Sequence, residues 1–168
     1  FRRVLFRSTP GPTGAFVDTV VGLEPGTYQV VVEGLVGGEV DFFGVNNSVG
    51  VTAGQNRQAT IAFNSFRPAF GMLPGPTTVM VFYAEYSGVP AADTYEIELA
   101  TDAGFTNVLG SATDVVETQV LVSLSDLGLG AGRYYLRARA FNSFVSDGGR
   151  WGEPAPFEIV TDIAPSGD

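Results

Sequence analysis

The chain contains no cysteine, no histidine and no lysine. Without cysteine, disulfides and thiolate metal sites are excluded, and cysteine usage gives no reading of the redox compartment. Without histidine and lysine, Ser-His-Asp, Cys-His, Ser-Lys and Schiff-base constellations cannot be assembled. Zinc sites built from histidine or cysteine are excluded too. Long apolar runs are also missing: no stretch approaches the roughly 20 residues of a membrane span, so no membrane insertion is expected. Positive charge is scarce, with nine basic residues against eighteen acidic ones and a net charge of −9. Three of the nine are Arg2, Arg3 and Arg7, so six cations face eighteen anions in the rest of the chain. Such a surface repels phosphate backbones, and nucleic acid is not an expected partner.

What is present points to strands. The 168 residues include 22 Gly, 10 Pro, 13 Phe and 6 Tyr, with turn residues recurring along the whole length. Strand-forming runs between regularly spaced turn signals mark an all-β chain. No segment sustains a 3.6-residue period. The longest stretch without Gly or Pro, Ser111 to Leu127, holds Val115-Val116 and Val120-Leu121-Val122, which favour strand over helix.

The first eight residues, FRRVLFRS, stand apart. TTC AGA CGT GTG CTC TTC CGA TCT translates to this octapeptide and resembles the end of a short-read sequencing adapter. Residues 1–8 are therefore expected to be a non-native artefact fused to a metagenomic reading frame, outside the fold. A basic arm or the start of a signal peptide is the rival reading. Thr9-Pro10-Gly11-Pro12 follows where a signal peptide would need an apolar core.

Residues 9–65 read as one module. Ala15 to Val21 is apolar and predicts a short strand. Pro25-Gly26 suits a tight turn, because proline pre-sets φ and glycine supplies the positive φ that follows. Tyr28, Val30 and Val32 then share one face, and Gln29, Val31 and Glu33 the other. Gly37-Gly38 reverses the chain into Glu39–Val45, Asn46-Asn47-Ser48 is expected to turn it again, and Ala59 to Phe63 supplies a last strand. Gly22-Leu23-Glu24-Pro25-Gly26-Thr27-Tyr28, with Val51-Thr52-Ala53-Gly54-Gln55 before that strand, resembles bacterial carboxypeptidase-regulatory-like (prealbumin-like) modules. The family's opening strands have no counterpart, which implies a truncated copy. The resemblance implies a non-catalytic β-sandwich.

Residues 66–161 read as a second module, and 162–168 as a tail or linker. A Pro-rich entry over Phe70 to Pro76 suits a protected edge. Val79–Tyr86 and Asp93–Ala100 predict strands, the latter with Tyr95, Ile97 and Leu99 inward and Glu96 and Glu98 outward. Gly132 to Phe141 alternates strictly: Tyr134, Leu136, Ala138 and Ala140 lie on one face, with Tyr135, Arg137, Arg139 and Phe141 on the other. Trp151 to Val160 closes the module.

Tyr95–Asp102 with Phe105, Leu129-x-x-Gly132-x-Tyr134–Ala140 with Asn142, and Trp151-x-Glu153-Pro154-x-x-Phe157 together resemble a bacterial fibronectin type III domain. Where that family has a core tryptophan in an early strand, this chain offers Phe82 or Tyr83, and Ala138 stands where valine is commoner. The resemblance implies a fold of two tandem immunoglobulin-like β-sandwiches. It assigns Tyr134 to a corner in which the hydroxyl returns to nearby backbone. It also sets the Glu96 strand beside the Tyr134 strand, so that Glu96 and Glu98 face Arg137 and Arg139.

Carboxylates are the chemistry left. A glycosidase needs two carboxyls in unlike environments across a cleft, which Glu96 and Glu98 on one strand face do not provide. Cross-strand pairing with arginine is the simpler use. No D-x-D-x-D-G calcium loop occurs, and Ser146-Asp147-Gly148-Gly149 brings one carboxylate. No catalytic residue, metal or cofactor is expected, and the chain is not expected to be an enzyme. Tyr135, Phe141 and Trp151 are the candidates for a ligand face: exposed rings in line stack sugars, or they cover the arginine stems and a neighbouring module.

The resulting expectation is a structural spacer or adhesion segment of a larger bacterial protein, secreted or at the cell surface. The alternative is an accessory, carbohydrate-binding module of a secreted carbohydrate-active enzyme or an outer-membrane receptor-like protein. Expected partners are neighbouring modules of the same polypeptide, polysaccharide or a surface protein.

Overall fold

Alternating apolar residues and frequent turn signals produce strands throughout. The computed structural model describes residues 2–8, 18–145 and 148–161, and every regular element among them is a β-strand. In chain order these are β1 (Arg2–Ser8), β2 (Gly26–Val36), β3 (Glu39–Val51), β4 (Asn64–Ser65), β5 (Val81–Glu85), β6 (Thr94–Ala100), β7 (Val108–Val115), β8 (Gln119–Ser123), β9 (Gly132–Phe141) and β10 (Ala155–Ile159). They form three sheets, ordered β1-β2-β3-β4, β10-β9-β6-β7 and β5-β8.

The second and third sheets pack face to face. Phe82 and Ala84 of β5, with Tyr86 just beyond it, point inward, while Tyr83 is exposed. Phe82 meets Phe157 of β10 edge-on with ring centroids 5.1 Å apart, and Tyr86 meets Tyr95 of β6 at 5.0 Å. Such offset and edge contacts add to the burial of the rings. Between the layers lie Ile97, Leu99, Val122, Leu124, Leu136, Ala138 and Ala140, all buried. The Pro-rich entry is irregular and changes layer. Gly71 N donates to Glu85 O at the β5 side, and Thr77 bridges Ile159 beside β10.

In the first sheet several expectations change. Arg2–Ser8, expected to lie outside the fold, is a strand running parallel to β2 from Arg2↔Tyr28 to Ser8↔Gly34. Asn46-Asn47-Ser48 does not turn the chain, and β3 continues through it for 13 residues. The polar side chains are satisfied without a reversal: Gln29 Nε2 donates to Asn47 Oδ1 at 2.6 Å, and Ser48 N donates to Asn46 Oδ1 at 3.1 Å. A register shift in β2 between Tyr28 and Val30 absorbs the irregularity.

Ala59–Phe63 is not a strand; only Asn64–Ser65 pairs with β3. The segment instead crosses over the sheet where glycines leave room. A Cβ at Gly34 would strike the Phe63 ring, and one at Gly44 would strike the Ala62 carbonyl. Phe63 stacks on Phe42 with centroids 5.5 Å apart. Asp18–Val21, the described part of the expected strand over Ala15–Val21, is also irregular, with Val21 85% exposed and no sheet neighbour. Ala15–Val17, Ser146-Asp147 and residues 162–168 lie outside the described residues.

β7 falls partly in the Ser111 to Leu127 stretch, for which the sequence favours strand without giving bounds. It is an edge strand with no fully buried side chain, and Asp114 sits at φ 55°. An edge strand with one poorly buried face lacks the alternation that marks β9.

The hydrophobic core does not stop at the joint near residue 66. Val31, Val40, Phe43 and Phe66 belong to the same buried cluster as Tyr95, Leu136 and Phe157. Phe66 is fully buried, with its ring 5.1 Å from that of Phe43. Backbone links continue across it: Phe66 N donates to Asp41 O and Arg150 N to Val40 O. Asp41 is almost completely buried and lies 2.5 Å from Arg67 Nε, whose Nη1 is 3.3 Å from Glu153.

Candidate functional site

The outer face of β9 gathers the residues singled out in sequence. The register pairs Glu96 with Arg139 and Glu98 with Arg137. Arg137 donates to Glu98 Oε2 from Nε at 2.8 Å and from Nη2 at 2.6 Å. Arg139 Nε donates to Glu96 Oε2 at 2.7 Å. All four side chains are largely shielded from water, so these pairs are less screened than ordinary surface ion pairs.

The same guanidinium groups stack on rings. Arg137 lies 4.1 Å from the centroid of Trp151 and 4.1 Å from that of Phe105. Arg139 lies 4.6 Å from Trp151 and 4.9 Å from Phe141, and Arg133 lies 5.5 Å from Tyr135. Cation–π attraction holds each pair, and Arg137 and Arg139 keep their carboxylate bonds at the same time. Tyr135, Phe141 and Trp151 are half-buried, and one of the chain's own arginines lies over each ring. The arrangement is a ladder of rings, cations and carboxylates that closes on itself. Phe105, not among the candidate site residues, completes it from the turn after β6; its φ of 53° turns the ring beneath Arg137. Asp102 builds that turn, its Oδ1 accepting from Gly104 N and Thr106 N and its Oδ2 from Asn107 N. These bonds to the charged form hold the Asp102 carboxyl below its usual range.

The inward face of β9 is scaffold. Tyr134 is buried, and its hydroxyl donates to Gly130 O at 2.9 Å, closing a corner at the start of the strand. Leu136 is buried against the opposite layer. The buried Tyr95 hydroxyl accepts from Val89 N at 2.8 Å. Tyr86 donates to Glu117 O at 2.6 Å, and burial foremost, with Tyr95 and Glu117 nearby, pushes its phenol up to about 12.

A second feature lies between the first sheet and β9. A cleft of about 290 Å³ is lined by Arg7, Glu33, Leu35, Glu39, Arg139 and Val145, among others. Glu33 is 1% exposed, and its Oε2 accepts from Arg7 Nε at 2.7 Å. Its Oε1 is buried with no hydrogen-bond partner among the described residues.

No helix among the described residues is long and apolar enough to cross a membrane. Comparison of the chain with protein-family models and with curated proteins finds no match to either.

Proposed function

We propose that this chain is a non-catalytic spacer or adhesion segment of a larger bacterial secreted or surface protein. In this reading residues 9–65 are a truncated carboxypeptidase-regulatory-like sandwich and residues 66–161 a fibronectin type III-like one. The sheet order β10-β9-β6-β7 opposite β5-β8, with the Tyr134 corner, supports the second assignment. The fold alone does not carry the function. The observation that does is the joint. Modules in one chain move freely unless their interface is large and apolar. Here Phe66 is fully buried between Phe43 and Gly149, and the Asp41–Arg67–Glu153 cluster flanks it. A stiff joint keeps two modules at a fixed distance and angle, which is what a spacer requires.

The test is affinity electrophoresis against a panel of cell-wall and plant polysaccharides, combined with small-angle scattering. The spacer reading expects no retardation and a scattering curve fitted by one rigid body. Saturable retardation, lost in Tyr135→Ala or Phe141→Ala, would overturn it in favour of a carbohydrate-binding accessory module.

A further inference from the structure

Between β3 and β4 the chain runs from Thr52 to Phe63 without regular structure beyond a turn at Ala53-Gly54. That turn is closed by Gln55 N, which donates to Thr52 O at 3.2 Å. From Asn56 to Ala62 the backbone makes no hydrogen bond to another backbone group of the described residues. Every residue from Thr52 to Thr60 is exposed, and the sequence there, TAGQNRQAT, is small or polar throughout. Arg57 lies near its middle. No ion pair, ring contact or hydrogen bond holds the Arg57 side chain among the described residues. No acidic residue occurs between Asp41 and Glu85.

The other arginines are tied down. Arg2, Arg3 and Arg7 lie in β1, which is paired along its length with β2. Arg133, Arg137 and Arg139 lie in β9, between β10 and β6. Arg67 pairs with Asp41 and is flanked by the buried Phe66 and Pro68. Arg150 N donates to Val40 O, with Gly149 N bonded to Ala140 O and Gly152 N to Ala138 O on either side.

We propose that the Arg57–Gln58 bond is a processing site for an endoprotease whose specificity pocket carries a carboxylate. Such an enzyme takes an extended stretch of substrate and seats the arginine in its acidic pocket. The chain has no lysine, so its nine arginines are the whole set of residues that this pocket can take. Arg57 alone is offered on an exposed segment of small and polar residues, where nicking needs no strand to be unpaired. In the reaction water adds across the peptide bond: its oxygen joins the Arg57 carbonyl carbon to give a carboxylate, and the Gln58 nitrogen leaves as an amine. The two pieces remain one body. Downstream of the cut Phe63 stacks on Phe42, Asn64–Ser65 pairs with β3, and Phe66 is buried beside Phe43. Cleavage therefore yields a two-chain form with new termini on the same core.

The experiment treats the full chain with trypsin at low concentration, follows it by intact-mass spectrometry, and runs the products on gel filtration without denaturant. One first cut is expected, giving 1–57 and 58–168, which co-elute at the position of the uncut chain. Full-length chain should last at least about tenfold longer in Arg57→Gln, because a pocket built for a charged group rejects a side chain lacking it. Arg57→Lys should keep the cut, and Gln55→Arg added to Arg57→Gln should restore one at position 55; misfolding of the variants would produce neither pattern. A first cut at any other arginine overturns the proposal. Several cuts appearing together overturn it as well, because they mark cleavage through global unfolding. Fragments that separate on gel filtration also contradict it, since the core would then not hold both pieces.

Discussion

Tyr134 shows what a single hydroxyl does in this molecule. Its ring fills core beside Phe157, with centroids 5.7 Å apart, and its oxygen donates to Gly130 O where β9 begins. Tyr134→Phe keeps the ring and removes the bond, so chemical denaturation should register a loss of about 1 kcal/mol. Tyr86 gives a pH test. A phenol raised from its usual value of 10 to about 12 in the folded state binds its proton more tightly there than when unfolded. The stability it contributes is complete below pH 10 and is lost as pH rises toward 12. Urea midpoints measured across that window should fall more steeply for the wild type than for Tyr86→Phe; parallel curves would contradict the assignment. Inward positions such as these were legible in the sequence because strict alternation fixes which side chains share a face. Glu33 and Asp41 were not, because an acidic residue's own character argues for solvent. Only the burial of their neighbours and the arrival of Arg7 and Arg67 from distant parts of the chain draw them in.

At the scale of elements, β6 and β9 are tied by two carboxylate–arginine pairs and a stack of rings. A double-mutant cycle on Glu98→Ala and Arg137→Ala should give a coupling of about 1 kcal/mol, at the upper end for cross-strand pairs because both side chains are shielded. A coupling near zero would mean that Trp151 and Phe105 position Arg137 by themselves. The two strands could be read in advance from their period of two, and their charges follow from it. The ladder could not. Phe105 and Trp151 reach Arg137 from a turn and from the approach to β10, and nothing in local spacing reports that meeting. The long β3 was hidden for the opposite reason. Asn46-Asn47-Ser48 carries turn chemistry, but β2 is long enough to pair beyond it, and cross-strand bonding overrides the local preference. The Ala59–Phe63 run has strand composition and is nevertheless diverted across Gly34 and Gly44.

For the whole molecule, the core that continues through Phe66 is the feature with the widest consequences. Phe66→Ala empties a fully buried position between Phe43 and Gly149 and should cost about 3–5 kcal/mol by denaturant unfolding. Gly149→Ala approaches the same point from the other side, because a Cβ there presses on the Phe66 ring at 2.5 Å. Sequence punctuation near Ser65–Pro68 marks where the chain passes from one set of sheets to the next, but it carries no information on whether the two share a core. That depends on Val40 lying beside Gly149 and Arg150, more than a hundred residues away. Differential scanning calorimetry of the full chain tests the shared core most directly. One transition is predicted, with calorimetric and van't Hoff enthalpies equal; two resolved transitions, or a calorimetric enthalpy about twice the van't Hoff value, would contradict it.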